Sequence, residues 1–147
     1  GDIISTLSLA RLIEHHEDSG NEVTLALRSS GGPLQIDLGG DGRLKDFGNH
    51  IGTDAQTRYL FAGIYIIESA FLERLTPGKK ESVIPIFLKM IRNGEALGGI
   101  VIDEGAWSDI GTLEEFDRTN RQYGAEASQL AKIQAAKKQA ASGPCAV

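Results

Sequence analysis

Apolar and polar positions along this 147-residue chain repeat with two periods, and each change of period marks an element. Leu9, Leu12, Ile13 and His16 fall at i, i+3, i+4 and i+7, which predicts a helix with Ser8 as N-cap and Gly20 as its stop. Val23, Leu25 and Leu27 then alternate, as in a strand buried on one face. Leu34, Ile36 and Leu38 alternate before a glycine-rich turn at 39–42, and Leu44 and Phe47 resume, so a hairpin is expected. The run "RYLFAGIYII" is β-branched and aromatic throughout and predicts a buried central strand. A short helix in "SAFLERL" and a turn at "TPGKK" follow. "SVIPIFLKMIRNG" predicts a second full helix, capped by Ser82, with Pro85 tolerated in its first turn and Gly94 at its end. After a strand in "ALGGIVIDEGAW", Thr112 and Glu115 form a Thr-x-x-Glu capping box that opens the last helix.

Strands alternating with helices predict an α/β fold, expected here as a mixed, mostly parallel sheet flanked by helices. Residues 1–123 carry this pattern. From 124 to 147 it gives way to "AEASQLAKIQAAKKQAAS", which is rich in helix formers but poor in large apolar residues. That segment is expected to be a helical extension ending in a frayed tail.

Composition narrows the class without naming a function. A hydrophobic share of 41% and a charged share of 24% are those of an ordinary globular domain. A net charge of −5 with no basic stripe argues against a nucleic-acid partner. No apolar run approaches the ~20 residues that a membrane span needs. The single cysteine, Cys145, cannot close an internal disulfide, so a reducing, cytoplasmic setting is expected. Glycine supplies 18 of 147 residues, which implies many turns and close backbone approaches. The only methionine is Met90, so the chain is expected to be a processed product or a piece of a longer protein.

Candidate chemistry centres on two aspartates. Mg²⁺ prefers hard carboxylate oxygens and keeps several waters, so two aspartates at strand ends suffice to hold it. Asp2 in "GDII" and Asp109 in "GAWSDIGT" are the candidates; the competing reading makes each a turn or cap acid. Adjacent His15 and His16 point about 100° apart on a helix, which disfavours a shared metal. Glu14, Glu17 and Asp18 read as a solvated helix face. "GGDG" sits between alternating strands and reads as a hairpin turn rather than a phosphate loop. His50 lies in the polar loop "GNHIGTDAQT", where a functional role is open.

Three stretches, taken in order, carry a more specific signal. "GDIISTLSLARLIEHHEDSGNEVTLAL", "FAGIYIIESAFLERL" and "GGIVIDEGAWSDIGTLEEFDRTN" together resemble the sugar-1-phosphate nucleotidyltransferases over roughly residues 1–121. This is the family of mannose-1-phosphate guanylyltransferase and glucose-1-phosphate thymidylyltransferase, and the resemblance is to its C-terminal, Rossmann-like portion. It implies that Asp2 and Asp109 ligate Mg²⁺ and that backbone at Gly63 approaches the sugar phosphate. Trp107 is implied to wall the site, and Gly111 and Thr112 to form the turn into the next helix. Lys79, Lys80 and Glu81 stand where sugar-phosphate contacts are expected. The implied reaction is attack by a sugar 1-phosphate on the α-phosphorus of a nucleoside triphosphate, with pyrophosphate leaving.

The departures from that pattern matter equally. The family's "G-x-G-T-R-L" loop, which grips the triphosphate, is absent, and so is the "E-K-P" lysine segment expected between Phe47 and Tyr59. Phe61 and Ala62 replace an asparagine often found before the "x-G-I-Y" step. No catalytic side chain is therefore assigned, and the chain alone is expected to be inactive. Two further expectations follow: an unpaired sheet edge that drives self-association or recruits a companion chain, and, as the rival reading, a non-catalytic interaction module.

Overall fold

The computed structural model describes residues 2–124. The expected extension at 124–147, with Cys145, lies outside the described residues apart from residue 124 itself. In chain order the elements are β1 (Ile3–Ser5), α1 (Leu9–Ser19), β2 (Val23–Arg28), β3 (Ile36–Leu38), β4 (Leu44–Phe47) and β5 (Arg58–Ile67). A 3-10 helix (Ser69–Arg74), α2 (Ile84–Arg92), β6 (Leu97–Val101) and β7 (Trp107–Asp109) follow, and α3 occupies 113–124. The described chain forms two compact units, one of residues 5–107 and a smaller one of residues 2–4 with 108–124.

The larger unit is built on a five-stranded sheet in the order β4-β3-β5-β2-β6. Only β2 and β6 run parallel; β4–β3, β3–β5 and β5–β2 are antiparallel. The sheet is mixed and flanked by helices, but the expectation of a mostly parallel one is corrected. Parallel neighbours need long crossovers, whereas β3, β4 and β5 are joined only by the tight turn at 39–43 and the loop at 48–57. Arg43 also bridges to Gly98 of β6, so the hairpin folds back across the sheet.

β2 carries side chains into two cores. Val23, Leu25 and Leu27 join Ile36, Phe71, Phe87, Met90 and Leu97 on one side. Ala26 packs with Leu12 of α1, Ala62 and Ile102 on the other. Period-2 alternation explains the division, but the strand is buried on both faces and not on one as its pattern predicted. Thr24, also fully buried, is satisfied by His16 of α1, whose Nδ1 lies 2.8 Å from its hydroxyl. The apolar stripe of α1 is narrower than expected, since Leu12 and His16 are buried while Leu9 and Ile13 are exposed.

Helix ends follow the expected chemistry, with one revision. The Arg11 N–H donates to Ser8 Oγ at the start of α1, and Gly20 closes it at φ 62°. In α2 the cap position falls on Val83, one residue past the expected Ser82, and no side chain caps it. Ser82 Oγ instead accepts the Ile84 N–H at 3.3 Å, and Pro85 in the first turn lacks the N–H that a cap would serve.

Two charged arrangements pin the loops to the sheet. Arg74 grips Glu22 through Nε and Nη2 at 2.7 and 2.6 Å and reaches Glu95 through Nη1 at 2.6 Å. The buried Asp46 carboxylate accepts the backbone N–H groups of Phe47, Ile51, Gly52 and Thr53 at 2.7 to 3.3 Å. Burial alone would raise the pKa of Asp46, but these amide donors outweigh it and hold the carboxyl below its ordinary value.

A depressed folded-state pKa stabilises the fold above the unfolded value near ~3.9 and loses that contribution as pH falls through the folded one. Asp46→Asn is therefore expected to lower stability at neutral pH by about 2 kcal/mol. The gap to the parent should narrow below about pH 4. Urea midpoints measured across pH check this, and a gap independent of pH overturns it.

Candidate functional site

The two candidate aspartates meet within the smaller unit. The Ile110 N–H donates to the Asp2 carbonyl at 2.7 Å, which holds residue 2 against the chain leaving β7. The Gly111 N–H donates to Asp109 Oδ1 at 2.9 Å, an Asx-type turn that fixes the aspartate rotamer. A Cβ placed on Gly111 would lie 3.1 Å from Asp109 Oδ1 and 3.4 Å from Asp2 Oδ2. Both carboxylates therefore border one glycine-sized gap. No salt bridge is formed by either within the described residues.

This donor set suits Mg²⁺. The two carboxylates supply hard anionic oxygens, both residues are exposed, and the remaining positions stay open to water and phosphate. Among the described residues no group of three or more His, Cys, Asp or Glu side chains could enclose a metal.

The turn beyond Asp109 is the expected helix start. The Glu115 N–H donates to Thr112 Oγ1 at 3.2 Å, and the Phe116 N–H donates to the Thr112 carbonyl at 2.9 Å. The Glu115 side chain meets the Thr112 hydroxyl at 3.3 Å rather than a backbone amide. Thr112 and Glu115 are thus accounted for by capping, and Asp109 is not required by it.

In the larger unit Trp107 and Gly63 lie close together. The Trp107 indole Nε1–H donates to the Ala62 carbonyl at 2.9 Å, and its ring packs on Gly31. Gly63 is exposed and sits at φ 73° in a bulge, where the register steps from Leu25↔Tyr65 to Leu27↔Phe61. Such a φ in mid-strand is open to glycine at little cost and strains other residues by about 1 kcal/mol or more. The glycine thus has a backbone reason of its own, and the bulge leaves its main chain exposed.

Glu81 is engaged in its own loop. Its Oε1 accepts the Thr76 N–H at 2.7 Å, its Oε2 lies 3.9 Å from Lys79 Nζ, and the Thr76 N–H holds its pKa below the usual range. His50 packs against Gly48 within the loop that Asp46 organises.

Three residues that pattern reasoning passed over shape the surroundings. Asp46 and Arg74 are two of them. The third is Arg28, whose guanidinium donates to the carbonyls of Ile102, Asp103 and Gly105, while Asp103 Oδ1 accepts the Ser29 N–H. The loop leading to Trp107 is held by these bonds. An aspartate directly ahead of a Gly/Asn-rich loop was the available signal for Asp46. Arg28 and Arg74 bond partners far away in sequence, which no local pattern encodes.

Comparison with known proteins agrees with the motif reading. No family model matches the chain. The chain is 29% identical over 122 residues to mannose-1-phosphate guanylyltransferase of Mycobacterium tuberculosis, across 80% of this chain and 34% of that protein. Its fold is similar to a solved Bacillus anthracis protein, assigned as a glucose-1-phosphate thymidylyltransferase and crystallised with sucrose. There the TM-score is 0.57 at 18% identity, over 82% of this chain and 51% of the other. Sequence and fold together show a chain similar to part of a sugar-1-phosphate nucleotidyltransferase. It spans about a third of the curated relative and half of the solved one.

Because Trp107 ties the Gly63 bulge to the loop at Gly31, Trp107→Phe removes one partly buried hydrogen bond while keeping much of the ring. The expected loss is about 1 kcal/mol in urea unfolding, with faster amide exchange at Gly63. Unchanged exchange there overturns the tie.

Proposed function

We propose that this chain is the sugar-phosphate-binding portion of a nucleotidyltransferase that joins a nucleoside triphosphate to a sugar 1-phosphate. The observation that carries the reading is the convergence of Asp2 Oδ2 and Asp109 Oδ1 on Gly111. In this reading the two carboxylates hold Mg²⁺, which supplies charge neutralisation for the phosphates when bound. In this reading the open backbone at Gly63, the fixed indole of Trp107 and the Glu81 carboxylate are the groups that contact the sugar phosphate. A phosphate oxygen of the sugar 1-phosphate attacks the α-phosphorus as the bond to the β-phosphate oxygen breaks, and pyrophosphate departs. Residues 1–123 form the binding portion, and the setting is the cytoplasm.

The chain lacks both the triphosphate loop and the "E-K-P" lysine of the family pattern. Robust pyrophosphate release by this polypeptide alone, with Mg²⁺, nucleoside triphosphates and a panel of sugar 1-phosphates, would overturn the partial-enzyme reading; none is expected. Calorimetry should show Mg²⁺ binding that falls by about tenfold or more in Asp109→Asn. Equal binding by parent and variant removes Asp109 from the site.

A second reading, a non-catalytic interaction module, draws on the loop at 48–57. That loop carries no lysine and is fastened internally by Asp46. Absence of both Mg²⁺ and sugar-phosphate binding favours this alternative.

Either reading includes self-association or a companion chain. β3 pairs with β5 only at Arg58 and Tyr59, so among the described residues 60–67 have no partner strand on that side in the five-stranded sheet. Light scattering is expected to show an assembly larger than one chain, and a monomer at high concentration overturns it.

A further inference from the structure

We propose that a cavity between the β3–β4 hairpin and the end of α2 binds the phosphoryl dianion of a small molecule. The cavity measures about 390 Å³ and is lined by Leu44, Ile51 and Ile91 together with the cations Arg43, Lys45 and Arg92. Three cations line it in a chain whose net charge is −5.

The carboxylates nearby leave those cations available. Glu95 lines the same cavity, but its side chain is held by Arg74 at 2.6 Å and by Asn93 at 2.8 Å. Asp41 pairs with Lys45 at 2.9 Å, and both side chains are about half exposed, so water and salt weaken the pair. Asp46 is saturated by backbone amides. Among the described residues, Arg43 and Arg92 have no carboxylate partner. Their guanidinium contacts are single donations to the Glu95 and His50 carbonyls, each at the outer limit of 3.5 Å.

The ordinary explanation for arginines beside a helix end is capping of its last carbonyls. Here the carbonyls of Lys89, Met90 and Ile91 already accept the N–H groups of Asn93, Glu95 and Gly94 at 2.9 to 3.0 Å. Gly94, at φ 67°, completes that closure. Capping therefore does not account for the two guanidinium groups. Planar N–H forks match paired phosphate oxygens, and the apolar lining suits the body of an organic phosphate.

Metal-free conditions isolate this cavity, because a pair of carboxylates without a cation repels phosphate. The experiment titrates the protein in EDTA with inorganic phosphate and with pyrophosphate, by calorimetry and by amide shifts. Binding at millimolar concentration or tighter is expected, with shifts centred on Thr53 and Gly94. The Arg43→Gln/Arg92→Gln variant should bind about tenfold more weakly or worse, and Asp109→Asn should bind like the parent. Should the double variant not fold, Arg92→Gln alone, at an exposed position, should show a smaller loss. No binding by the parent, shifts centred elsewhere, or undiminished binding by the arginine variants overturns the proposal.

Discussion

Glu22 and Glu95 stand side by side where β2 and β6 begin, and the cation between them is Arg74. Two carboxylates brought together at a partly buried sheet margin repel each other, and the only parallel pairing of the sheet starts at this point. The bidentate grip on Glu22 and the single contact with Glu95 turn that repulsion into a three-point junction. The same arginine ends the 3-10 helix, so its backbone is anchored as its side chain closes the junction. Phe71 of that helix packs beside Phe87 of α2, and β2 and β6 form the ground beneath both. Removing the arginine would leave two carboxylates facing each other without a cation.

Much of this architecture is written locally and can be read locally. The caps at Ser8 and Thr112, the stop at Gly20 and the hairpin turn depend on residues a few positions apart, and they fall where short-range chemistry puts them. β2 misled because Thr24 and Ala26 look like a solvent face. One is small enough to be covered by α1, and the other is satisfied there by His16. Strand direction was misjudged for a related reason. The period of a strand says nothing of its neighbour's direction, which the short links at 39–43 and 48–57 decide.

The candidate site divides along the same line. Spacing alone made Asp2 and Asp109 two ordinary turn acids more than a hundred positions apart. The resemblance to a nucleotidyltransferase named them as a pair, and their common border on Gly111 gives the pairing a physical basis. The reason for glycine there is visible only in three dimensions, since a methyl group would crowd Asp109 Oδ1 at 3.1 Å and touch Asp2 Oδ2 at 3.4 Å. Fixed elements hold the candidate residues, each within its own unit: an Asx turn sets the Asp109 rotamer, and the Ala62 carbonyl holds the Trp107 indole. Sites arranged on such supports lose little freedom when a ligand arrives.

β5 lives under different rules along its two margins. Toward β2 it is hydrogen-bonded nearly from end to end, interrupted only at the Gly63 bulge, whereas toward β3 only its first two residues are paired. Successive amides point in opposite directions along a strand. The strand therefore keeps two clocks: amides turned toward β2 open only when the sheet itself comes apart, while those on the other margin answer to whatever lies against them.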